Sequence, residues 1–125
     1  MFYGPIPYGL GNLVNLNSLD ISNNYFSGII SSNICNQGDM TPNLNNNNFC
    51  PPYPLCFSND DIGEQNTSEC YLIYDLNNDQ LLNVLDIMII VDSILDNNFI
   101  ENGDFNTDGI LNISDIIFLI GQILD

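Results

Sequence analysis

Two kinds of hydrophobic spacing divide this chain. In residues 84–95 and 113–124 apolar side chains recur every three or four positions, which predicts a pair of helices. Val84, Ile87, Met88, Val91, Ile94 and Leu95 line the stripe of the first, and Ile113, Ile116, Ile117, Ile120, Ile123 and Leu124 that of the second. The segments match again at their ends, Ile94-Leu95-Asp96 against Ile123-Leu124-Asp125. Ile89, Ile90, Phe118 and Leu119 carry apolar surface beyond one stripe. A helix apolar over most of its circumference is buried on more than one side, so these four residues predict a docking surface. Residues 1–36 are spaced differently, with Leu13, Leu16, Leu19, Ile21, Phe26 and Ile30 set around Asn24 and Gly28. That pattern predicts stacked turns. Leu19 and Ile21 point inward from a short strand, Asn24 hydrogen-bonds along the stack, and Phe26 fills the far side.

Ahead of each predicted helix stands the same polar loop. The first reads Asp75-x-Asn77-x-Asp79-x-x-x-Asn83-x-x-Asp86, the second Asp104-x-Asn106-x-Asp108-Gly109-x-x-Asn112-x-x-Asp115. Side-chain oxygens at loop positions 1, 3, 5, 9 and 12, with a backbone carbonyl at position 7 from Leu81 or Ile110, are the donor set by which one turn of chain wraps Ca²⁺. Clusters of Asp, Asn and Gly are also ordinary turns. Two copies that agree at every ligand position predict two bound Ca²⁺ instead.

Composition sharpens this picture. The 125 residues include 16 acidic ones and no Lys, Arg or His. No salt bridge between side chains is possible, so a buried carboxylate must be metal-bound, hydrogen-bonded or protonated. Nucleic acid is excluded as a partner because nothing neutralises phosphate, and anionic membrane surfaces are excluded likewise. The longest apolar run, residues 87–91, is far below the roughly 20 residues of a membrane span. Cys35, Cys50, Cys56 and Cys70 are even in number, contain no C-x-x-C pair and have no His beside them. They predict two disulfides in an oxidising compartment rather than zinc. Asn66-Thr67-Ser68 is an N-glycosylation sequon in a polar stretch, whereas the sequon at Asn112 falls inside the second loop and is discounted.

The N-terminal pattern resembles the plant-type leucine-rich repeat, over about one and a half copies between Met1 and Asn36, with Ile30 where that family has Pro. A degenerate copy follows at Leu44, Asn47 and Phe49. Cys50-Pro51-Pro52-Tyr53-Pro54-Leu55-Cys56 resembles the cysteine-bearing C-terminal cap of such proteins. That resemblance favours Cys50–Cys56 with Cys35–Cys70. Cys35–Cys50 with Cys56–Cys70 stays open, as does the third pairing. The C-terminal pattern resembles the dockerin family, which repeats one such loop and one helix twice. It implies Asp75, Asn77, Asp79, Asn83 and Asp86, then Asp104, Asn106, Asp108, Asn112 and Asp115, as ligands. It also implies partner contacts just after loop position 9, at Val84, Leu85, Ile113 and Ser114, with a cohesin-like domain as partner. Gln80 departs from the pattern where Gly109 conforms. A non-Gly residue in left-handed conformation costs about 1 kcal/mol, so the first site is expected to be the weaker.

The expected fold is α+β. A leucine-rich-repeat solenoid stub with cysteine cap spans residues 1–56, an acidic connector 57–70, and a two-helix dockerin-like domain with two calcium loops 71–125. No His or Lys is available as a general base, and the clustered carboxylates are committed to calcium, so an enzyme is not expected. The expected role is an extracellular, calcium-stabilised assembly module. Its uncovered first turn and its apolar helices would let identical subunits join head to tail into a filament. The alternative is the C-terminal fragment of a larger leucine-rich-repeat surface protein, anchored to a cohesin-type scaffold.

Overall fold

A computed structural model describes residues 1–124, so the repeat match at Asp125 lies outside the described residues. The chain forms two compact units, Met1–Ser68 and Glu69–Asp125.

In the first unit, β1 (Tyr3–Gly4), β2 (Tyr25–Ile29) and β3 (Asn48–Cys50) make a parallel sheet in the order β1-β2-β3. Tyr3 stands opposite Tyr25, and Gly28 opposite Phe49. Between strands the chain returns through 3-10 turns at Tyr8–Asn12 and Ser32–Asn36, and a short helix, α1 (Asn59–Ile62), follows β3. Side-chain amides bind one turn to the next. Asn24 Oδ1 accepts the Phe2 N–H at 2.9 Å, Asn47 Oδ1 accepts the Phe26 N–H at 3.1 Å, and Gln65 Oε1 accepts the Phe49 N–H at 3.0 Å. Each amide nitrogen donates to carbonyls of its own turn, and two also reach the turn before: Gln65 Nε2 donates to Ile62 and to Leu44, both at 2.8 Å, and Asn47 Nδ2 to Ile21 at 2.9 Å. Buried backbone groups need such partners, and an amide supplies donor and acceptor together. Phe2, Phe26 and Phe49 stack in step, with centroids 6.2 and 6.3 Å apart. Leu19, Ile30, Ile34, Leu44, Phe49 and Ile62 form the core.

The expected fold class is corrected by these elements. In place of a capped leucine-rich-repeat solenoid stub and a two-helix domain, the described residues form four α-helices and a three-stranded parallel sheet. The inward strand expected at residues 19–21 reduces to a single bridge between Asp20 and Asn43. Local hydrogen bonds compete with it. Asp20 Oδ1 accepts the Ser22 N–H and hydroxyl at 3.0 and 2.6 Å, and Asn43 Oδ1 accepts the Asn45 N–H at 3.1 Å. Such bonds offer the backbone an alternative to ladder pairing. Residues 57–65, expected as connector, supply α1 and the Gln65 rung, and the Asp61 carbonyl accepts the Leu44 N–H at 2.9 Å.

The favoured Cys50–Cys56 disulfide is also corrected. Cys35 is joined to Cys56, with Cα atoms 5.8 Å apart. Their separation of 21 residues repeats the step that sets Ile29 opposite Cys50, so the parallel register brings the two cysteines together. All four cysteines are in disulfides, and none is free.

The second unit contains α2 (Tyr71–Tyr74), α3 (Val84–Leu95), a 3-10 turn at Glu101–Gly103, and α4 (Ile113–Leu124). Helices α3 and α4 pack on each other, but not along the expected stripes. Asp86, Ile90 and Ser93 are the buried residues of α3, and Asp115 and Leu119 those of α4. Val84, Leu85, Met88, Ile113, Ile117 and Leu124 face solvent. The aspartates set this rotation. Asp86 and Asp115 must turn inward to their loops, and residues one helical turn on, Ile90 and Leu119, follow them. Beside the helices, Tyr74, Phe105 and Phe118 form an aromatic triad with centroids 5.4–5.6 Å apart. No helix among the described residues is long and apolar enough to cross a membrane.

Candidate metal centre

Both loops begin where a short helical turn ends, with Asp75 after α2 and Asp104 after the 3-10 turn, in nearly the same backbone conformation. The chain then passes through left-handed residues at corresponding places. Asn78 and Gln80 have φ of 58° and 67°, and Thr107 and Gly109 have φ of 55° and 79°. These turns fold the backbone around the first carboxylate. Asp75 Oδ2 accepts the Gln80 N–H at 2.8 Å, and Asp104 Oδ2 accepts the Gly109 N–H at 2.9 Å. Position 5 closes the following turn, as Asp79 Oδ1 and Asp108 Oδ1 accept the N–H groups of Leu81 and Ile110, both at 2.9 Å.

Positions 9 and 12 join loop to helix. Asn83 Oδ1 accepts the Leu85 N–H at 3.0 Å, while Asp86 Oδ2 accepts the Asn83 N–H at 3.0 Å. Asn112 and Asp115 repeat this with Ser114 and Asn112 itself, at 2.9 and 3.1 Å. The residues expected to bind metal through position 9 thus use one lone pair to cap a helix, satisfying N–H groups that would otherwise lack partners. Asp86 and Asp115 are fully buried. Their other oxygens accept the N–H groups of Asn77 at 3.3 Å and Phe105 at 3.0 Å.

In the first loop, one oxygen from each of Asp75, Asp79 and Asp86 lies within 4.8 Å of the others. Asn77 reaches the same group, donating from Nδ2 to Asp79 Oδ2 at 3.0 Å. Among the described residues, Asp104, Asp108 and Asp115 do not converge as tightly. Asp104 stands in a different environment. It is nine-tenths buried, and its Oδ1 is buried with no hydrogen-bond partner. Burial pushes the Asp104 carboxyl above the ordinary carboxylate range; the Gly109 N–H pulls it back, and the charges of Asp115 and Asp108 push it further up. A buried acceptor without a donor costs about 1–3 kcal/mol. A hard cation would satisfy it and offset the repulsion at once. The donor set consists of oxygens throughout, which suits Ca²⁺ rather than a softer metal.

The remaining expected site residues are dispersed. Leu81 and Ile110, expected to offer carbonyls, hold exposed side chains over their loops. Val84, Leu85, Ile113 and Ser114 are exposed at the helix starts. Ile90 and Leu119 lie in the core rather than on a docking surface, and Phe118 belongs to the aromatic triad. Ile89 is half-buried and lines a cleft with Leu72, Leu76 and Ile100. Asn66 is exposed, with its Oδ1 accepting the Ser68 N–H at 3.1 Å. Sequence reasoning passed over Tyr74 and Phe105. The available signal was an aromatic residue adjoining the first aspartate of each loop. No protein-family model, curated protein or solved structure matches the chain.

Proposed function

We propose that this chain is an extracellular assembly module whose C-terminal unit is held in shape by two Ca²⁺ ions. The observation that carries the reading is the buried, unpartnered Oδ1 of Asp104 in a loop whose twin gathers three carboxylates. In a chain with no Lys, Arg or His, no side-chain cation of its own can answer these charges. Asp75, Asn77, Asp79 and Asp86 would hold one ion, and Asp104, Asn106, Asp108 and Asp115 the other, with Asn83 and Asn112 orienting the helix starts. The disulfides favour an oxidising, calcium-rich setting. The dockerin-like pattern of loop and helix favours docking to another protein through the exposed starts of α3 and α4.

The net charge of −16 favours a partner whose apolar patch is rimmed by Lys and Arg, as a cohesin-like domain could provide, over a second copy of the same polyanion. Thermal unfolding of the full chain followed by circular dichroism, with calcium and with excess chelator, tests the reading. Calcium should raise the transition of the helical unit, by about 2.7 kcal/mol of stability per site at a hundredfold excess over Kd. Coincident melting curves would refute it. Sedimentation of the calcium-loaded chain separates the partners: a monomer supports a heterologous partner, whereas filaments restore head-to-tail self-assembly.

A further inference from the structure

The two loops share a core element. Tyr74 immediately precedes Asp75, the first residue of one loop, and Phe105 immediately follows Asp104, the first residue of the other. The two rings meet edge to face at 5.6 Å, and Phe118 of α4 contacts both at 5.4 Å. Tyr74 and Phe105 are 2% and 1% exposed, so neither ring can shift without disturbing the other. The backbone completes the connection. The Phe105 N–H donates to buried Asp115 Oδ1 at 3.0 Å, tying the ring to the last carboxylate of its loop. Asp75 is tied back to the Tyr74 helix through its own N–H, which donates to the Tyr71 carbonyl at 3.0 Å.

Resting on the calcium reading above, we infer that the Tyr74–Phe105–Phe118 triad couples the two loops, so that an ion in either loop raises the affinity of the other. An ion drawing Asp104 and Asp115 together fixes Phe105 between them. A fixed Phe105 holds Tyr74, and with it the position from which Asp75 enters its loop. Packed aromatic groups transmit such a shift because a close-packed core has few alternative arrangements. The coupling is reciprocal by thermodynamic necessity.

Calorimetric calcium titration of the full chain tests this, using wild type, Asp104→Asn, Asp75→Asn and Phe118→Leu. In wild type the second ion should bind with at least about fivefold higher affinity than the same loop shows when its twin is disabled, by the same factor from either side. Phe118→Leu should keep two sites and lose most of that factor. Near-UV circular dichroism of the Phe118→Leu chain checks that its tertiary packing persists; if it does not, Tyr74→Leu serves as the second triad variant. Unchanged affinity of one loop when the other is disabled would overturn the coupling, as would a full factor in the triad variants. Absence of stoichiometric calcium binding in wild type would instead overturn the calcium reading itself.

Discussion

Residues 75–86 and 104–115 put the same oxygens on the same kind of turn, yet their first aspartates end in different situations. Asp75 Oδ1 accepts the Asp79 N–H at 3.3 Å, whereas Asp104 Oδ1 is buried and accepts nothing. The first loop has closed on itself, with Asn77 bridging to Asp79 and three carboxylates already gathered. The second holds an oxygen in reserve. Their sixth positions differ as well, because Gln80 takes a left-handed conformation that Gly109 adopts without steric cost. A shared motif therefore fixes where oxygens go but not how completely the protein satisfies them. The loop left less satisfied has more to gain from a cation.

The largest expected effect comes from disabling the second loop. Asp104→Asn should remove one bound Ca²⁺ and lower the melting transition in calcium by more than Asp75→Asn does, measured by differential scanning calorimetry. In chelator the order should reverse in sign: Asp104→Asn removes the charge that Asp115 and Asp108 repel and puts an amide donor within their reach, so it should stabilise the metal-free chain by about 1 kcal/mol. A destabilised metal-free Asp104→Asn chain would erase the contrast between the loops.

A smaller effect should follow from exchanging the sixth positions. Gln80→Gly should tighten calcium binding at the first loop by about fivefold, corresponding to about 1 kcal/mol of relieved left-handed strain. Gly109→Ala should weaken the second by a similar factor. The added Cβ meets no atom within 4 Å, so the backbone conformation alone would be responsible. Calorimetric titration reads both variants, and equal affinities before and after would show that this position does not distinguish the loops.

The smallest contrast is expected at the caps. Asn83→Ala and Asn112→Ala each remove a side-chain acceptor for a helix N–H, at 3.0 and 2.9 Å. Each should cost about 1 kcal/mol in chelator, equally for α3 and α4. Chemical denaturation compares the two, and a difference well above that figure would mean that the loops diverge at their helix junctions too.

Much of the geometry of the two acidic loops was legible in the sequence because the spacing of their side-chain oxygens is local. Asp75 to Asp86 and Asp104 to Asp115 are each a single turn of chain, and nothing distant is needed to bring their oxygens together. The helix faces were misjudged for a reason equally local. Hydrophobic spacing alone put Val84, Met88 and Leu95 inside, but the inward turn of Asp86 rotates α3 and buries Ile90 instead. Reading position 12 as a constraint on helix rotation would have found this. In the first unit, amide side chains at Asn24, Asn47 and Gln65 make successive rungs; Asn24 was expected to do so, Asn47 stands at its place in the degenerate copy, and Gln65 was not expected. Gln65 was hidden because it reaches β3 from a segment that reads as an acidic linker. The Cys35–Cys56 bond depends on a parallel register that cysteine counting cannot supply. It becomes legible only once Ile29 is known to stand opposite Cys50.

Calcium bound per chain at saturation, measured by equilibrium dialysis on wild type beside Asp104→Asn, tests the account most directly. Two ions on the wild-type chain and one on the variant are expected. No bound calcium on wild type, or the same number on both, would contradict it.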